Sequence, residues 1–163
     1  MEPLLLAWLE GEARSRDASD FTVGAFSSDK IRAELLTARG YQKQLSFLHH
    51  LQRSLDAPLS AIAIAENYSI STTTVADLSS LAIAISGAFD SEPKPVSTHE
   101  ALCSGRFYRH DLAIVVKTAK GEVVAFYLAW LDEQNRVGLL EPVGCHPDYQ
   151  RLGLASAAVN AAL

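Results

Sequence analysis

The sequence predicts a mixed α/β domain (α+β), in which a mostly antiparallel sheet is flanked by helices. The apolar runs Asp111–Thr118 and Val123–Asp132 are joined by the short turn A-K-G-E, which is a strong hairpin signal. A third strand-like run, Val137–Cys145, follows them. It leads through a glycine-containing turn directly into an alanine-rich helix. We therefore expect an antiparallel meander that feeds a helix.

Bulk composition indicates one globular domain over residues 1–163. The chain is 48% apolar and 20% charged, so it can bury a core. The net charge is −5 with both signs dispersed, and we expect neither a nucleic-acid nor a membrane partner. Cys103 and Cys145 form neither a disulfide framework nor a zinc motif, so no metal is expected. The run Leu4–Leu9 is too short to span a membrane and lacks the basic flank of a signal peptide, which favours a cytoplasmic location.

The first third of the chain alternates helix-like and strand-like segments. Residues 3–16 carry their apolar side chains on one helical face and predict an amphipathic helix. Asp20–Phe26 has the composition of a strand. A second helix, capped by one of residues 27–29, should end at Gly40. Tyr41–Leu51 again resembles a strand.

The middle of the chain has weaker patterns. Ala57–Glu66 is strand-like but is also compatible with a helix. Thr72–Gly87 predicts a helix with threonine or serine caps in front of it. Asp90–Ser97 contains two prolines and predicts a loop, and the next residues, Thr98–Leu102, form a partial capping box.

The turn at Gln150–Ala155 has the features of an anion site. A strand that turns into a helix leaves free backbone N–H groups at the helix N-terminus, and these bind anions without a basic side chain. Gly153 lets a ligand approach the backbone, and Ala155 and Ser156 keep the next positions small. A phosphate or pyrophosphate would fit. Spacing alone does not separate this interpretation from a simple glycine turn whose helix packs closely on a sheet.

The run C-H-P-D-Y-Q-R-L-G-L-A-S-A-A-V resembles the acetyl-CoA-binding motif of the GNAT superfamily of N-acyltransferases. In that family a Q/R-x-x-G-x-G/A turn wraps the cofactor pyrophosphate, and the end of the preceding strand pairs with the pantetheine arm. The resemblance implies acetyl-CoA as the cofactor, with the pantetheine arm on Val143, Gly144 and Cys145. It assigns the pyrophosphate to Gln150, Arg151, Leu152, Gly153, Leu154 and Ala155.

The order of the segments departs from the family pattern. Residues 1–57 resemble the C-terminal third of a GNAT fold, with L-L-T-A-R-G-Y (Leu35–Tyr41) similar to the family's L-Y-x-x-x-G-F. Residues 58–163 resemble its N-terminal part, through the pyrophosphate-binding helix. The chain is then either a fragment of a tandem protein or a permuted single domain over residues 1–163.

On either interpretation we expect the N-terminal third to complete the sheet. Asp20–Phe26 should lie near Val137–Cys145, and Tyr41–Leu51 should join the same sheet in this chain or in a partner. Without them Val137–Cys145 would be a long exposed apolar edge, which promotes aggregation. Exchange of the N-terminal third between two molecules would produce a homodimer.

Acetyl transfer to an amine needs a base, an oxyanion donor and an acid for the leaving thiolate. Glu141, four residues before Cys145, is the candidate base; a partly buried carboxylate would suit, and a structural carboxylate paired with an arginine is the alternative. His146 is a second candidate, although His-Pro more often ends a strand. The family often uses a tyrosine as the acid, and this chain has Leu36 there, with Tyr41 at the aromatic position.

Two functions follow from the resemblance. The first is an acetyl-CoA-dependent N-acetyltransferase that acts on a small-molecule or protein amine. The second is a non-catalytic GNAT-like domain that binds CoA or a protein partner. The intact turn favours the enzyme, whereas Leu36 and the unusual segment order favour the binding domain. A nucleotide-binding module is a third reading, but the chain contains neither a P-loop nor a G-x-G-x-x-G motif. Acceptor specificity should reside in Thr72–Tyr108.

Overall fold

The computed structural model describes residues 2–45, 54 and 62–162, in two compact units, Met1–Gln52 and Arg53–Leu163. The helices are Glu2–Ser15 (α1), Lys30–Ala38 (α2), Leu78–Ala88 (α3), Val96–Cys103 (α4) and Leu154–Ala162 (α5). The strands are Tyr68–Thr72 (β1), Ala113–Thr118 (β2), Val123–Asp132 (β3) and Val137–Cys145 (β4). Short 3-10 turns occur at Val75–Asp77, His110–Leu112 and Pro147–Tyr149. None of the helices in the described ranges is both long enough and apolar enough to cross a membrane.

The first unit contains α1 and α2, and polar side chains link this part of the chain together. The carboxylate of Glu10 in α1 accepts hydrogen bonds from the Arg39 guanidinium at 2.9 and 3.2 Å and from the Tyr41 hydroxyl at 3.0 Å. These bonds hold the pKa of Glu10 below its ordinary value. Asp29 caps α2, because its Oδ1 accepts a hydrogen bond from the backbone N–H of Arg32 at 3.0 Å. Both helices predicted in this region are confirmed.

The strands predicted in the first unit are not observed. Residues 20–26 form no strand, so the prediction for Asp20–Phe26 is wrong. Residues 41–45 also form no strand, and the rest of Tyr41–Leu51 lies outside the described residues. A strand-like composition forms a strand only where a neighbour supplies the ladder hydrogen bonds, and the described residues of this unit supply none. Completion of the sheet by the N-terminal third stays a prediction.

The second unit is built on a four-stranded antiparallel sheet in the order β1-β2-β3-β4. The predicted hairpin of β2 and β3 is confirmed, and its turn is closed by a hydrogen bond from the N–H of Gly121 to the carbonyl of Thr118 at 2.9 Å. Strand β2 begins two residues later than predicted, because His110–Leu112 form a 3-10 turn. The bounds of β3 and β4 match the prediction.

The sequence misplaces β1. The described part of Ala57–Glu66, residues 62–66, forms no strand, and residues 57–61 lie outside the described residues. The strand is instead Tyr68–Thr72, which overlaps the predicted helix Thr72–Gly87 only at Thr72. Helix α3 begins only at Leu78, directly after the 3-10 turn Val75–Asp77, in which Asp77 accepts hydrogen bonds from the backbone N–H and the hydroxyl of Thr74, each at 2.8 Å. That capping box begins the 3-10 turn, which leads into α3.

Helices cover both faces of the sheet. Ile114 and Val116 of β2 pack in a cluster with α5, whereas Val115 between them packs with α3. Successive side chains of a strand point to opposite faces, so α5 and α3 lie on opposite sides. Helix α4, which begins at Val96 instead of after Thr98, contacts α3. The fold is therefore the expected α+β arrangement of an antiparallel sheet between helices.

Candidate functional site

A cleft of about 460 Å³ opens where β4 ends and α5 begins. Its volume is typical of small-molecule sites, which span roughly 300–1,000 Å³. Three elements form it, namely the end of α3, the last residues of β4 and the turn into α5. The lining residues are Ala88, Phe89, Val143, Gly144, Cys145, Tyr149, Gln150, Arg151, Gly153, Leu154, Ala155 and Ser156. The structure thus brings together all the predicted cofactor residues except Leu152, whose side chain is exposed.

The cleft side of β4 is a sheet edge. Gly144 and Cys145 lie opposite Phe126 and Ala125 of β3, and the N–H of His146 extends this ladder with a 2.8 Å hydrogen bond to the carbonyl of Val124. Among the described residues β4 pairs with β3 alone. The main-chain groups of its other edge can therefore pair with an extended ligand, as in other cases of strand addition.

Gly144 is required by packing. A Cβ atom at this position would lie 2.3 Å from Cζ of Phe126 and 3.0 Å from Cβ of Ala88. The Phe126 ring also lies 6.2 Å, centroid to centroid, from the ring of Phe89 at the end of α3. A cross-strand aromatic ring thus occupies the space that a side chain at position 144 would need. This glycine allows α3 and β4 to approach closely at the cleft.

Gly153 is required by its backbone conformation. Its φ of +76° lies in the left-handed region, and Arg151 in the same turn has a φ of +66°. No described heavy atom lies within 4 Å of the position that a Cβ would occupy. The Gln150 side chain steadies the turn, because its Nε2 donates to the carbonyl of Cys145 at 3.3 Å. A side chain at position 153 would be strained and would project into open space beside the cleft.

The N-terminus of α5 presents unpaired N–H groups to the cleft. The carbonyl of Gly153 accepts the first helical hydrogen bond, from the N–H of Ala157 at 2.9 Å. The N–H groups of Leu154, Ala155 and Ser156 precede that bond and have no acceptor within the helix. The first turn of α5 carries no acidic side chain, so the positive end of the helix dipole is not neutralised. The turn can therefore bind a phosphate group.

Glu141 lies at an irregularity of β4 just before the cleft. Two residues of β4, Glu141 and Pro142, lie opposite the single residue Leu128 of β3, which is a β-bulge. The Trp130 indole N–H donates to the backbone carbonyl of Glu141 at 2.8 Å. The carboxylate itself is exposed, which differs from the partly buried environment expected for a base. No described residue forms an ion pair with it, so the alternative of an arginine-paired carboxylate has no support either.

The second candidate, His146, and the neighbouring Cys145 have structural roles. Nδ1 of His146 accepts a hydrogen bond from the N–H of Asp148 at 3.4 Å and caps a 3-10 turn. The Cys145 thiol donates to the carbonyl of Tyr149 at 3.3 Å, and burial raises the pKa of this thiol. Cys145 is therefore a neutral thiol at neutral pH and a poor nucleophile. Leu36 is a buried core residue of the first unit.

Sequence reasoning missed three lining residues of the cleft, Ala88, Phe89 and Tyr149, and it noted Ser156 only as a small residue after the turn. Ala88 and Phe89 lie more than fifty residues before the glycine turn and reach the cleft only through helix packing. The available signal was Gly87, since a Cβ there would lie 2.7 Å from Cδ2 of His146. A glycine and an alanine at the end of a predicted helix indicate close approach to another element.

Comparisons with known proteins give one family and one fold. Residues 78–163 match the model of the acetyltransferase (GNAT) family. The structure is similar to a GCN5-related N-acetyltransferase from Sphaerobacter thermophilus, with a TM-score of 0.59 and 18% identity, over 83% of this chain and 43% of that one. It also matches the ribosomal-protein-S18-alanine N-acetyltransferase of Escherichia coli, with a TM-score of 0.44 and 25% identity, over 56% of this chain and 54% of that one.

The chain thus spans about half the length or less of these two structural neighbours. The Sphaerobacter structure supports the fold, and the family model supports membership over half of the chain. A search of curated protein sequences finds no relative.

Proposed function

The chain belongs to the GNAT family of acetyltransferases, and from this membership we propose that it is an acetyl-CoA-dependent N-acetyltransferase that modifies an amine. Members of this family use acetyl-CoA. The observation that carries the proposal is the turn at Gly153. Its left-handed backbone has open space beside it and leads straight into the free N–H groups of α5. Gly121 has the same conformation and open space in the β2–β3 turn, so what distinguishes Gly153 is the helix N-terminus that directly follows it.

The cleft suits the two ends of acetyl-CoA differently. The main-chain edge of Val143–Cys145 would pair with the amide groups of the pantetheine arm. The N–H groups at the start of α5 would bind the pyrophosphate, with Arg151 adding a positive charge at the rim. Bound in this way, acetyl-CoA supplies an activated acetyl group as a thioester. Leu152 is exposed and contributes its backbone geometry alone to this turn.

Glu141 would prepare the acceptor. An amine is protonated at neutral pH and is nucleophilic only after it loses that proton, so the carboxylate of Glu141 would accept the proton before attack on the thioester carbonyl. Glu141 precedes Val143 by two residues on β4, so in the proposed binding mode the thioester would lie near it. Exposure leaves this carboxylate free to exchange its proton with solvent after each turnover.

A non-catalytic CoA-binding domain is the second candidate, and Leu36 favours it. By the resemblance of Leu35–Tyr41 to the family motif, Leu36 stands where many members have a tyrosine that acts as the general acid. An aliphatic side chain cannot protonate the leaving thiolate. If the chain is an enzyme, that proton must come from water or from another side chain.

Calorimetric titration of the full chain with acetyl-CoA tests the proposal. We expect saturable binding of acetyl-CoA and much weaker binding of acetyl-pantetheine, which keeps the thioester arm and lacks the pyrophosphate. Equal affinities for the two would contradict the role of the turn. Release of free thiol on addition of primary amines then separates the enzyme from the binding domain, which would bind acetyl-CoA and release none.

We also propose that the protein works in the cytoplasm and that residues 1–57 complete its sheet, within one chain or by exchange in a homodimer. Light scattering measures the oligomeric state directly. Amide hydrogen exchange on residues 137–141 tests the completion, because a paired edge exchanges slowly and an unpaired edge exchanges fast.

A further inference from the structure

A second cavity lies between α3, α4 and the sheet, and we call it the α4 cavity. Its volume is about 50 Å³. Since one water needs roughly 10–15 Å³ by this measure, the cavity accommodates about three or four non-hydrogen atoms. Its walls are mainly apolar and include Leu81, Ile85, Leu102, Phe126 and Pro142. No aspartate, glutamate, lysine or arginine lines it among the described residues.

His99 of α4 is one of the residues that line this cavity. The residue is 8% exposed, and its Nε2 is buried with no hydrogen-bond partner among the described residues. A buried polar atom without a partner costs free energy, so such atoms commonly mark a site that a ligand or water completes. Burial and then the charge of Lys94 lower the pKa of His99. The imidazole is therefore neutral at neutral pH and offers one hydrogen bond without a charge.

The phenol of Tyr108 is a second neutral polar group in the α4 cavity. Tyr108 lines the cavity, and burial together with a hydrogen bond to Cys103 raises the pKa of its phenol far above the physiological range. The cavity therefore has no charge that could balance a bound ammonium or carboxylate. Burial of an unpaired charge is strongly unfavourable, so a charged group is excluded.

The α4 cavity reaches β4 at Pro142, which lies in sequence between Glu141 and Val143. Along β4, Glu141 is the proposed base, Pro142 lines the cavity, and Val143 begins the cleft. The ring of Phe126 separates the two spaces, because it lines the cavity and packs against Gly144. On the other side, the ring of Tyr108 lies 6.5 Å, centroid to centroid, from Trp130, which holds the backbone of Glu141.

We propose that the α4 cavity binds the substituent of the acceptor amine and selects a short, uncharged, mostly apolar group that carries one hydrogen-bonding atom for His99. This rests on the proposed acetyltransferase function and adds the class of substrate. The acceptor is a monoamine whose chain beyond the nitrogen has about three or four heavy atoms. A second ammonium or a carboxylate in that chain is rejected.

Three amines of equal length test the selection with the full chain and acetyl-CoA. They are 3-aminopropan-1-ol, n-butylamine and 1,3-diaminopropane, which differ only in a terminal hydroxyl, methyl or ammonium group. We expect kcat/KM to be highest for the hydroxyl compound, about tenfold lower for the methyl compound and at least about 100-fold lower for the diamine. The proposal is wrong if the diamine is acetylated as well as the other two.

The His99→Leu variant separates recognition from a structural role. Leucine keeps an apolar side chain in the cavity and removes the hydrogen bond, so the preference for hydroxyl over methyl should fall from about tenfold to none. This preference is a ratio within one protein sample, so a partial loss of folded protein does not change it. An unchanged preference in His99→Leu would remove His99 from the proposal.

A binding measurement keeps the proposal testable without turnover. Imidazole ¹H–¹⁵N spectra of the full chain with CoA should show a shift of the His99 Nε2 signal on addition of 3-aminopropan-1-ol, and that signal is identified by its loss in His99→Leu. No shift, with CoA bound, would mean that the cavity holds only water and would overturn the proposal. A shift without any acetyl-CoA binding would contradict the acetyltransferase function and leave the cavity as a separate binding site.

Discussion

Phe126 lines the α4 cavity and packs against Gly144 of the cleft, but the two spaces are built from different parts of the chain. The cleft is formed mainly by backbone, since a sheet edge, a left-handed glycine and a helix N-terminus supply its polar groups. The α4 cavity is formed by side chains, with His99 as its buried unpaired polar residue among those described. A backbone site recognises a group that many ligands share, such as a phosphate. A side-chain site can change its ligand through a single substitution.

The largest expected effect concerns the backbone site. Replacement of Gly153 by valine should weaken acetyl-CoA binding by at least about 100-fold, or about 2.8 kcal/mol, because the left-handed turn is lost and a branched side chain enters the pyrophosphate position. Calorimetric titration measures the affinity.

Gly121→Val is the matched control for this change. Gly121 also has a left-handed φ, +83°, and also has no heavy atom near its missing Cβ, but it lies in the β2–β3 turn. It should suffer a similar loss of stability and keep its acetyl-CoA affinity. A Gly153→Val protein that binds acetyl-CoA normally would remove the pyrophosphate assignment.

The second prediction concerns Glu141, between the two regions. Glu141→Gln should lower kcat/KM by about 100-fold, the lower end of what a general base contributes, with acetyl-CoA affinity nearly unchanged. The control is Glu133→Gln, another exposed carboxylate, whose 3.4 Å ion pair with Arg109 lies on the surface. If Glu141→Gln instead loses cofactor affinity, the role of Glu141 is to maintain the structure of the bulge, and it is not the base.

The third prediction concerns the contact between Gly144 of the cleft and Phe126 of the α4 cavity. Gly144→Ala places a methyl group against the Phe126 ring and should destabilise the fold by about 1–3 kcal/mol, the usual cost of overpacking. Because the ring must then shift towards the α4 cavity, both acetyl-CoA affinity and the preference among amines should change. The double variant Gly144→Ala/Phe126→Leu should recover stability in chemical unfolding. Independent responses of the two sites would show that Phe126 does not couple them.

The smallest effect is a pH dependence specific to the α4 cavity. Burial lowers the pKa of His99 below its reference of 6.5, so the unfolded chain binds this proton first as pH falls. The stability that neutral His99 provides is complete above about pH 6.5 and is lost as pH falls from there towards the folded pKa. Melting temperatures between pH 7.5 and 5 should fall more steeply for the natural chain than for His99→Leu. Parallel curves would contradict the buried neutral imidazole.

The sequence predicted the backbone site better than the side-chain site for a physical reason. Gln150–Ala155 are consecutive, and the conformation of a glycine turn before a helix depends mostly on local sterics. The strands β3 and β4 were equally predictable, because each has a continuous apolar pattern and a short turn before it. The α4 cavity joins residues from Thr73 to Pro142, and its existence depends on how α3 and α4 pack on the sheet.

Failures of prediction occurred where a local pattern depended on a distant partner. Asp20–Phe26 has the composition of a strand but no ladder partner among the described residues of its unit, so it forms none. Tyr68–Thr72 carries two serines and a threonine, yet it is a strand because β2 pairs with it along its whole length. Strand propensity describes how well a residue fits a sheet, and the sheet must already be there.

The bulge at Glu141 and Pro142 makes β4 tolerant of substitutions before it and intolerant of a deletion within it. Side chains alternate along a strand, so the extra residue reverses which face the following positions occupy. Deletion of a single residue between Leu140 and Val143 would restore regular alternation. The side chains of the whole cofactor segment would then point to the opposite faces of the sheet, regardless of which residue was removed. In the natural variation of this domain, substitutions should therefore be common along Val137–Leu140, while the number of residues between Leu140 and Gly153 should stay constant.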